Sequence, residues 1–264
     1  MAKASDYLIA FDGGHGADTP GKRTPYIKSL GRQIREHEFN QPVADYFEAE
    51  LKRCGFRTLQ LAPGDADTPL KERTDAANKA CANLYTSLHY NASDGKFDGE
   101  AKDPSGFSAH IYPGSRNKDA GRFASIALKY LAQGTAQKNR GIVEQDLHIT
   151  RETKMTAVLF EFGFMDNERE SLLMLDVAFQ KECARELAMA VCEFYGVPYV
   201  VETEVAGVTN EPQLTVAQEA VRKKAMDLGI TDGKNPFREV NQYYVWNAMI
   251  PFVERLKALE DKTK

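Results

Sequence analysis

Tyr7-Leu8-Ile9-Ala10-Phe11-Asp12-Gly13-Gly14-His15-Gly16 is the stretch from which the rest of the chain is read. Tyr7–Phe11 is an unbroken apolar run of strand length and reads as a buried strand. The glycines after it permit a tight turn that presents His15 and leaves room for a bulky substrate. Four more strands are read downstream, over Phe56–Leu61, Leu84–His89, Phe107–Tyr112 and Val158–Glu161. Helical periodicity lies between them. From about Glu38 to Cys54, Phe39, Val43, Phe47, Leu51 and Cys54 share one face; Leu70–Ala82 and Asn117 to about Leu131 also read as helices. A long helix is expected from Asn167 to Tyr195, with Leu172, Leu175, Phe179, Cys183, Leu187, Val191 and Phe194 inward. Asp166 or Asn167 is suited to cap its start, and Gly55 and Gly196 to stop their helices. Pro42 should fall in the first turn of its helix, because farther in it removes a ladder hydrogen bond. Glu36 is then on the turn leading into that helix. Alternating strands and helices predict an α/β fold with a mainly parallel twisted sheet flanked by helices.

In such sheets, sites gather beyond the carboxyl ends of the strands. His15, His89 and Glu161 each stand at or just past the end of a predicted strand, so residues far apart in sequence can meet at one edge. Two imidazoles and one carboxylate as ligands, with a second carboxylate left over, make the set a hydrolytic zinc enzyme needs. Glu161 sits in the otherwise apolar run Val158-Leu159-Phe160-Glu161-Phe162-Gly163-Phe164. A carboxylate buried there must be paired, metal-associated or protonated. Beside a zinc-activated water it could take a proton during attack on an amide and pass it to the leaving amine. Asn91 could orient the ligand loop or touch substrate, and His148 and Arg151 could line the cleft. His37 and Glu38 read as exposed helix-start residues, His110 as a packed or surface histidine, and Trp246 as an apolar anchor of a C-terminal helix.

Bulk properties narrow the function further. The formal net charge of −4 provides no basic field for nucleic acid or acidic lipid. No segment has the length and apolarity of a transmembrane span. The N-terminus lacks the apolar core of a signal peptide, so the chain is expected to be made in the cytoplasm. Cys54, Cys81, Cys183 and Cys192 form no CxxC or CxxH pair and read as reduced core thiols. Residues 1–198 read as the catalytic domain and 199–214 as a linker. Residues 215–264 read as a small helical module, with helices to Leu228 and from about Asn241 to Leu259, the latter interrupted at Pro251. So few residues can barely sustain a core alone, so the module is expected to dock, to bind wall material, or to associate with another copy into a homo-oligomer.

Over about residues 6–198 these motifs resemble the zinc-dependent N-acetylmuramoyl-L-alanine amidases of the Amidase_3 type, a family of bacterial wall amidases and bacteriophage endolysins. Its Asp-Pro-Gly-His-Gly opening is similar to Asp12-Gly13-Gly14-His15-Gly16, its Glu followed four residues later by Asn to Glu36 and Asn40, and its Ser-x-His-x-Asn to Ser87-Leu88-His89-Tyr90-Asn91. Its catalytic Glu before Gly-Phe, with Asn beyond, is similar to Glu161, Gly163, Phe164 and Asn167. Gly13 replaces the usual Pro, and Thr156 stands where a Pro commonly precedes the last strand. The resemblance implies Zn²⁺ held by His15, Glu36 and His89, Glu161 as acid/base, and a six-stranded sheet. It implies cleavage of the amide between N-acetylmuramic acid and L-alanine in bacterial peptidoglycan. Without a signal peptide, the expected setting is that of an endolysin released through membrane lesions to lyse its host. Two alternatives stay open: a zinc peptidase cutting within the stem peptide, and a non-catalytic wall-binding protein.

Overall fold

A computed structural model describes residues 3–99 and 102–202. After a 3-10 turn at Ala4–Asp6, the elements run β1 (Leu8–Gly13), α1 (His37–Arg53), β2 (Arg57–Gln60), α2 (Leu70–Lys79), β3 (Leu84–Asn91), β4 (Phe107–Ile111), α3 (Asp119–Gly134), β5 (Asn139–Glu144), α4 (His148–Glu152), β6 (Thr156–Phe164), α5 (Glu168–Leu173) and α6 (Val177–Tyr195). The six strands form one sheet in the order β2-β1-β3-β6-β4-β5. Every neighbouring pair is parallel except β4 and β6, so the α/β, mainly parallel architecture is as expected.

Strand parity distributes the core. All of β1 is buried. Its alternate residues Ile9 and Phe11 enter a large cluster with Phe39, Val43, Phe47, Leu187 and Val191 of α1 and α6. Leu8 and Ala10 face a smaller cluster with Ala77, Tyr85, Ile149 and Ala157 on the side of α2 and α4. Successive strand side chains point to opposite faces. One face therefore carries the long helices, and the other is covered by the two shorter helices α2 and α4.

Several elements differ from expectation. The helix expected over Asn167–Tyr195 is two helices. Leu173 ends α5, and Asp176 accepts from the backbone N–H groups of Ala178 and Phe179 to start α6. Pro42 lies beyond the first turn of α1. Lacking an N–H, it cannot bond the Glu38 carbonyl, and Gln180 Nε2 of α6 donates there at 3.2 Å instead. Strand β5 and helix α4 were not anticipated. β5 is exposed or half-buried along its length and lacks an apolar run. Cys54, Cys183 and Cys192 are buried free thiols as expected, but Cys81 is exposed at φ 51°, at the turn after α2. No described helix is long and apolar enough to cross a membrane. The module expected over 215–264, with Trp246, and the linker beyond residue 202 lie outside the described residues.

Candidate active site

β1 ends at Gly13, and His15 follows in the left-handed region at φ 62°. Gly14 is required by close approach. A Cβ there would lie 2.0 Å from Cε1 of the His89 ring. His89 is on β3, beside β1, and its register partner on β6 is Glu161. β3 and β6 both run past their predicted ends, so His89 and Glu161 sit within strands rather than beyond them, and the β3–β6 register shifts between His89 and Asn91. By parity, Asp12, Ser87, His89 and Glu161 all face the thinly covered side of the sheet, since Phe11, Leu88 and Phe160 belong to the opposite core. Glu36, at the N-cap of α1, closes the cluster from the side.

Donor atoms of His15, Glu36 and His89 all lie within 4.8 Å of one another. Glu36 is buried. Its Oε1 accepts from Asn40 Nδ2 at 3.0 Å and from the Tyr90 N–H at 3.1 Å, and faces His89 Nδ1 at 3.0 Å. Its Oε2 lies 3.6 Å from His15 Nε2 and is buried with no hydrogen-bond partner. Native buried polar atoms seldom lack partners, so a bare oxygen beside His15, on a carboxylate whose other oxygen faces His89, fits a cation. Zinc takes imidazole and carboxylate donors at about 2.0–2.2 Å, which suits this set after slight closing.

The titration behaviour follows from burial and charge. Burial pushes His15 down to about 4, a fall Glu36 only partly offsets. Burial also works against ionised Glu36, but its hydrogen bond with His89 and the two imidazole charges outweigh that and hold it at about 2. For His89, burial disfavours the charged ring, yet the hydrogen bond and charge of Glu36 prevail and raise it above the ordinary value. Glu161 has an unpartnered, buried Oε2. Burial, opposed by His89 and reinforced by Glu36, pushes it up to about 8.

Of the other expected residues, Asn91 lies at the end of β3, half-buried, with its Oδ1 accepting from the Ala92 N–H at 2.8 Å. Arg151, on α4, is exposed and engaged with Asp146 at 2.5 Å and Glu152 at 2.8 Å. His148 is 3.4 Å from Thr74 Oγ1. Thus neither Arg151 nor His148 is among the donors the fold gathers. His110 is packed between Ser108 and Gln145.

His37 is not exposed as expected. It is buried, with Nδ1 3.2 Å from the His15 carbonyl and Nε2 3.2 Å from Asp65 Oδ1. It braces the turn that carries His15. Asn40 bonds both Glu36 and, at 2.8 Å, the Gly14 carbonyl, tying α1 to the same turn. Lys22 is half-buried and near enough to influence both His15 and Glu161. No periodicity marks Lys22, since it sits in an irregular loop, whereas Asn40 was visible through its spacing from Glu36.

Comparison with known proteins places this arrangement. The family model described as N-acetylmuramoyl-L-alanine amidase matches residues 9–193. The chain is 31% identical over 179 residues to the N-acetylmuramoyl-L-alanine amidase CwlM of Bacillus licheniformis, covering 67% of this chain and 64% of that one. It is 26% identical over 191 residues to the endolysin of Bacillus phage SPP1, covering 70% of this chain and 65% of that one. It thus spans just under two thirds of each of these two relatives. Among solved structures, the catalytic domain of the amidase CwlV from Bacillus (Paenibacillus) polymyxa var. colistinus is similar with a TM-score of 0.62 and 28% identity, over 73% of this chain and 99% of that one. From its fold, its site and a match over most of its length, the chain belongs to the Amidase_3 family of N-acetylmuramoyl-L-alanine amidases.

Proposed function

We propose that this chain hydrolyses the amide joining N-acetylmuramic acid to L-alanine in bacterial peptidoglycan, with zinc held by His15, Glu36 and His89 and with Glu161 as general acid/base. The observation that carries the reading is the gathering of His15, Glu36 and His89 donor atoms within 4.8 Å, with Glu36 Oε2 bare and buried and Glu161 paired in register with His89. Zinc bound there supplies Lewis acidity toward water and a carbonyl oxygen. Burial raises Glu161 to about 8, so near neutrality part of it is ionised, with the buried, unpartnered Oε2 free to take a proton. It can accept a proton from the attacking water and return one to the leaving nitrogen, the balance a general acid/base requires. The glycine turn before His15 keeps backbone close to the His89 ring, and His37 and Asn40 hold that turn still. Asn91, on the same strand as His89, is assigned to substrate contact. Arg151 is kept for the same role only as a residue that would have to exchange its present carboxylate partners for substrate.

The setting we read is lysis of a bacterial host, supported by the likeness to a phage endolysin. Residues 215–264 are assigned to wall retention or self-association. Metal analysis combined with mass spectrometry of digested peptidoglycan tests the core of the reading. One bound zinc and a new L-alanine amine on intact glycan are expected. Cleavage inside the stem would establish the peptidase instead, and absence of any cleavage the wall-binding protein.

A further inference from the structure

Beneath the proposed metal ligands lies a buried polar chain. Asp12 of β1, Ser87 of β3 and Tyr85 of β3 are fully buried, and Arg73 of α2 nearly so. Asp12 Oδ1 accepts from Ser87 Oγ at 2.6 Å, and its Oδ2 accepts from the Tyr85 hydroxyl and lies 3.5 Å from Arg73 Nη1. Ser87 Oγ in turn lies 3.2 Å from His89 Nε2.

We infer that Asp12 and Ser87 are positioning residues that fix the tautomer of His89, placing its proton on Nε2 and its lone pair on Nδ1, so that Nδ1 is the atom offered to the metal. The inference rests on the zinc reading above and specifies its donor.

Proton counting leads there. An ionised carboxylate only accepts, and a serine hydroxyl has one proton to give. Tyr85 stays a donor, because burial and the Asp12 charge raise it well above the ordinary phenol value. The Ser87 proton is committed to Asp12 by the shorter of its two contacts. Toward His89 Nε2 the Ser87 oxygen can therefore only accept, so Nε2 carries the hydrogen. The opposite arrangement gives up the 2.6 Å Ser87–Asp12 hydrogen bond and strips a buried carboxylate oxygen of its donor, a costly change away from water. With Nε2 keeping its proton, the proton His89 gives up when a metal binds is the one on Nδ1, which faces Glu36 Oε1 at 3.0 Å.

Three substitutions and one direct measurement test this. Asp12→Asn nearly preserves shape but introduces an amide that can donate to Ser87, turning the Ser87 proton toward Nε2 and favouring the wrong tautomer. Ser87→Ala removes the acceptor. Zinc affinity, measured by chelator competition on the full chain, should fall about 10–100-fold for each, the usual effect of losing such a partner. Tyr85→Phe leaves the Ser87–His89 link in place and should change affinity far less. Should either variant fail to fold, the wild-type chain still decides. Long-range proton–nitrogen NMR of the zinc-loaded protein should show His89 Nε2 protonated and Nδ1 metal-bound. Zinc bound with Nδ1 protonated would overturn the inference while leaving the zinc reading intact. Failure of the wild-type chain to bind zinc would overturn both. Equal affinity losses in all three variants would reduce Asp12 and Ser87 to a purely structural role, against the inference.

Discussion

Glu161 shows how one side chain's surroundings assign its chemistry. It pairs in register with His89, its Oε2 lacks a partner, and burial raises it to about 8. Glu161→Gln keeps the volume but abolishes proton transfer. Amide hydrolysis should fall about 10²–10⁴-fold with zinc content unchanged; loss of zinc together with activity would instead make Glu161 a ligand. The proposed ligands carry their own pH dependence. His15 is held low and Glu36 lower still, so both are deprotonated well below neutrality. His89 is raised, and its proton competes with the metal. Zinc affinity should therefore weaken as pH falls through the range just above the ordinary histidine value, well before His15 titrates, and a chelator competition series from pH 8 to pH 5 checks it. His15, His89 and Glu161 were legible in the sequence because each follows, ends or interrupts an apolar run with a group that is costly to bury unpaired, and Glu36 through its spacing from Asn40. His37 was not, because nothing local indicates that a histidine at a helix start is covered by a distant loop carrying Asp65.

Elements were legible where periodicity is strong. β1, α1 and α3 carry clear apolar patterns and appear close to the expected bounds. β5 does not, because it is an edge strand with little buried side chain, held by pairing to β4 alone. The break between α5 and α6 was masked by continuous helical spacing, which the Asp176 cap interrupts without disturbing the apolar face. Where α3 ends, Gly134 meets two carboxylates. A Cβ there would lie 2.1 Å from Glu186 Oε1 and 2.2 Å from Glu182 Oε1, both on α6. Burial, aided by Glu182, pushes Glu186 up to about 7. A carboxyl raised above its unfolded value favours the fold while protonated, so its contribution is full below about 4.5 and is lost as pH rises through about 7. Glu186→Gln should leave thermal stability unchanged at pH 4 and raise it at pH 8, by on the order of 1 kcal/mol after allowance for solvent screening. Equal melting temperatures at pH 8 would show that the carboxylate is solvated there.

At the scale of the molecule, the catalytic fold and the tail divide the work proposed for them. A chain ending at residue 202 should hydrolyse soluble peptidoglycan fragments as fast as the full chain and sediment less with intact walls. Equal sedimentation would assign retention to the catalytic fold, and a change in light-scattering mass on truncation would indicate self-association. The sequence by itself determined the α/β class and singled out His15, His89 and Glu161, with Glu36 by its spacing from Asn40, as the side chains proposed to act, because hydrophobic period and the cost of burying charge are local properties that any stretch of chain displays. Only the tertiary structure decided that these side chains share one face and one end of the sheet. Parallel pairing sets Glu161 beside His89, the left-handed turn at His15 brings its ring to within 5.0 Å of the His89 ring, and Asp12 and Ser87 meet beneath them. Each of those placements depends on register and parity between strands separated by dozens of residues, and no local pattern encodes a distance across a sheet.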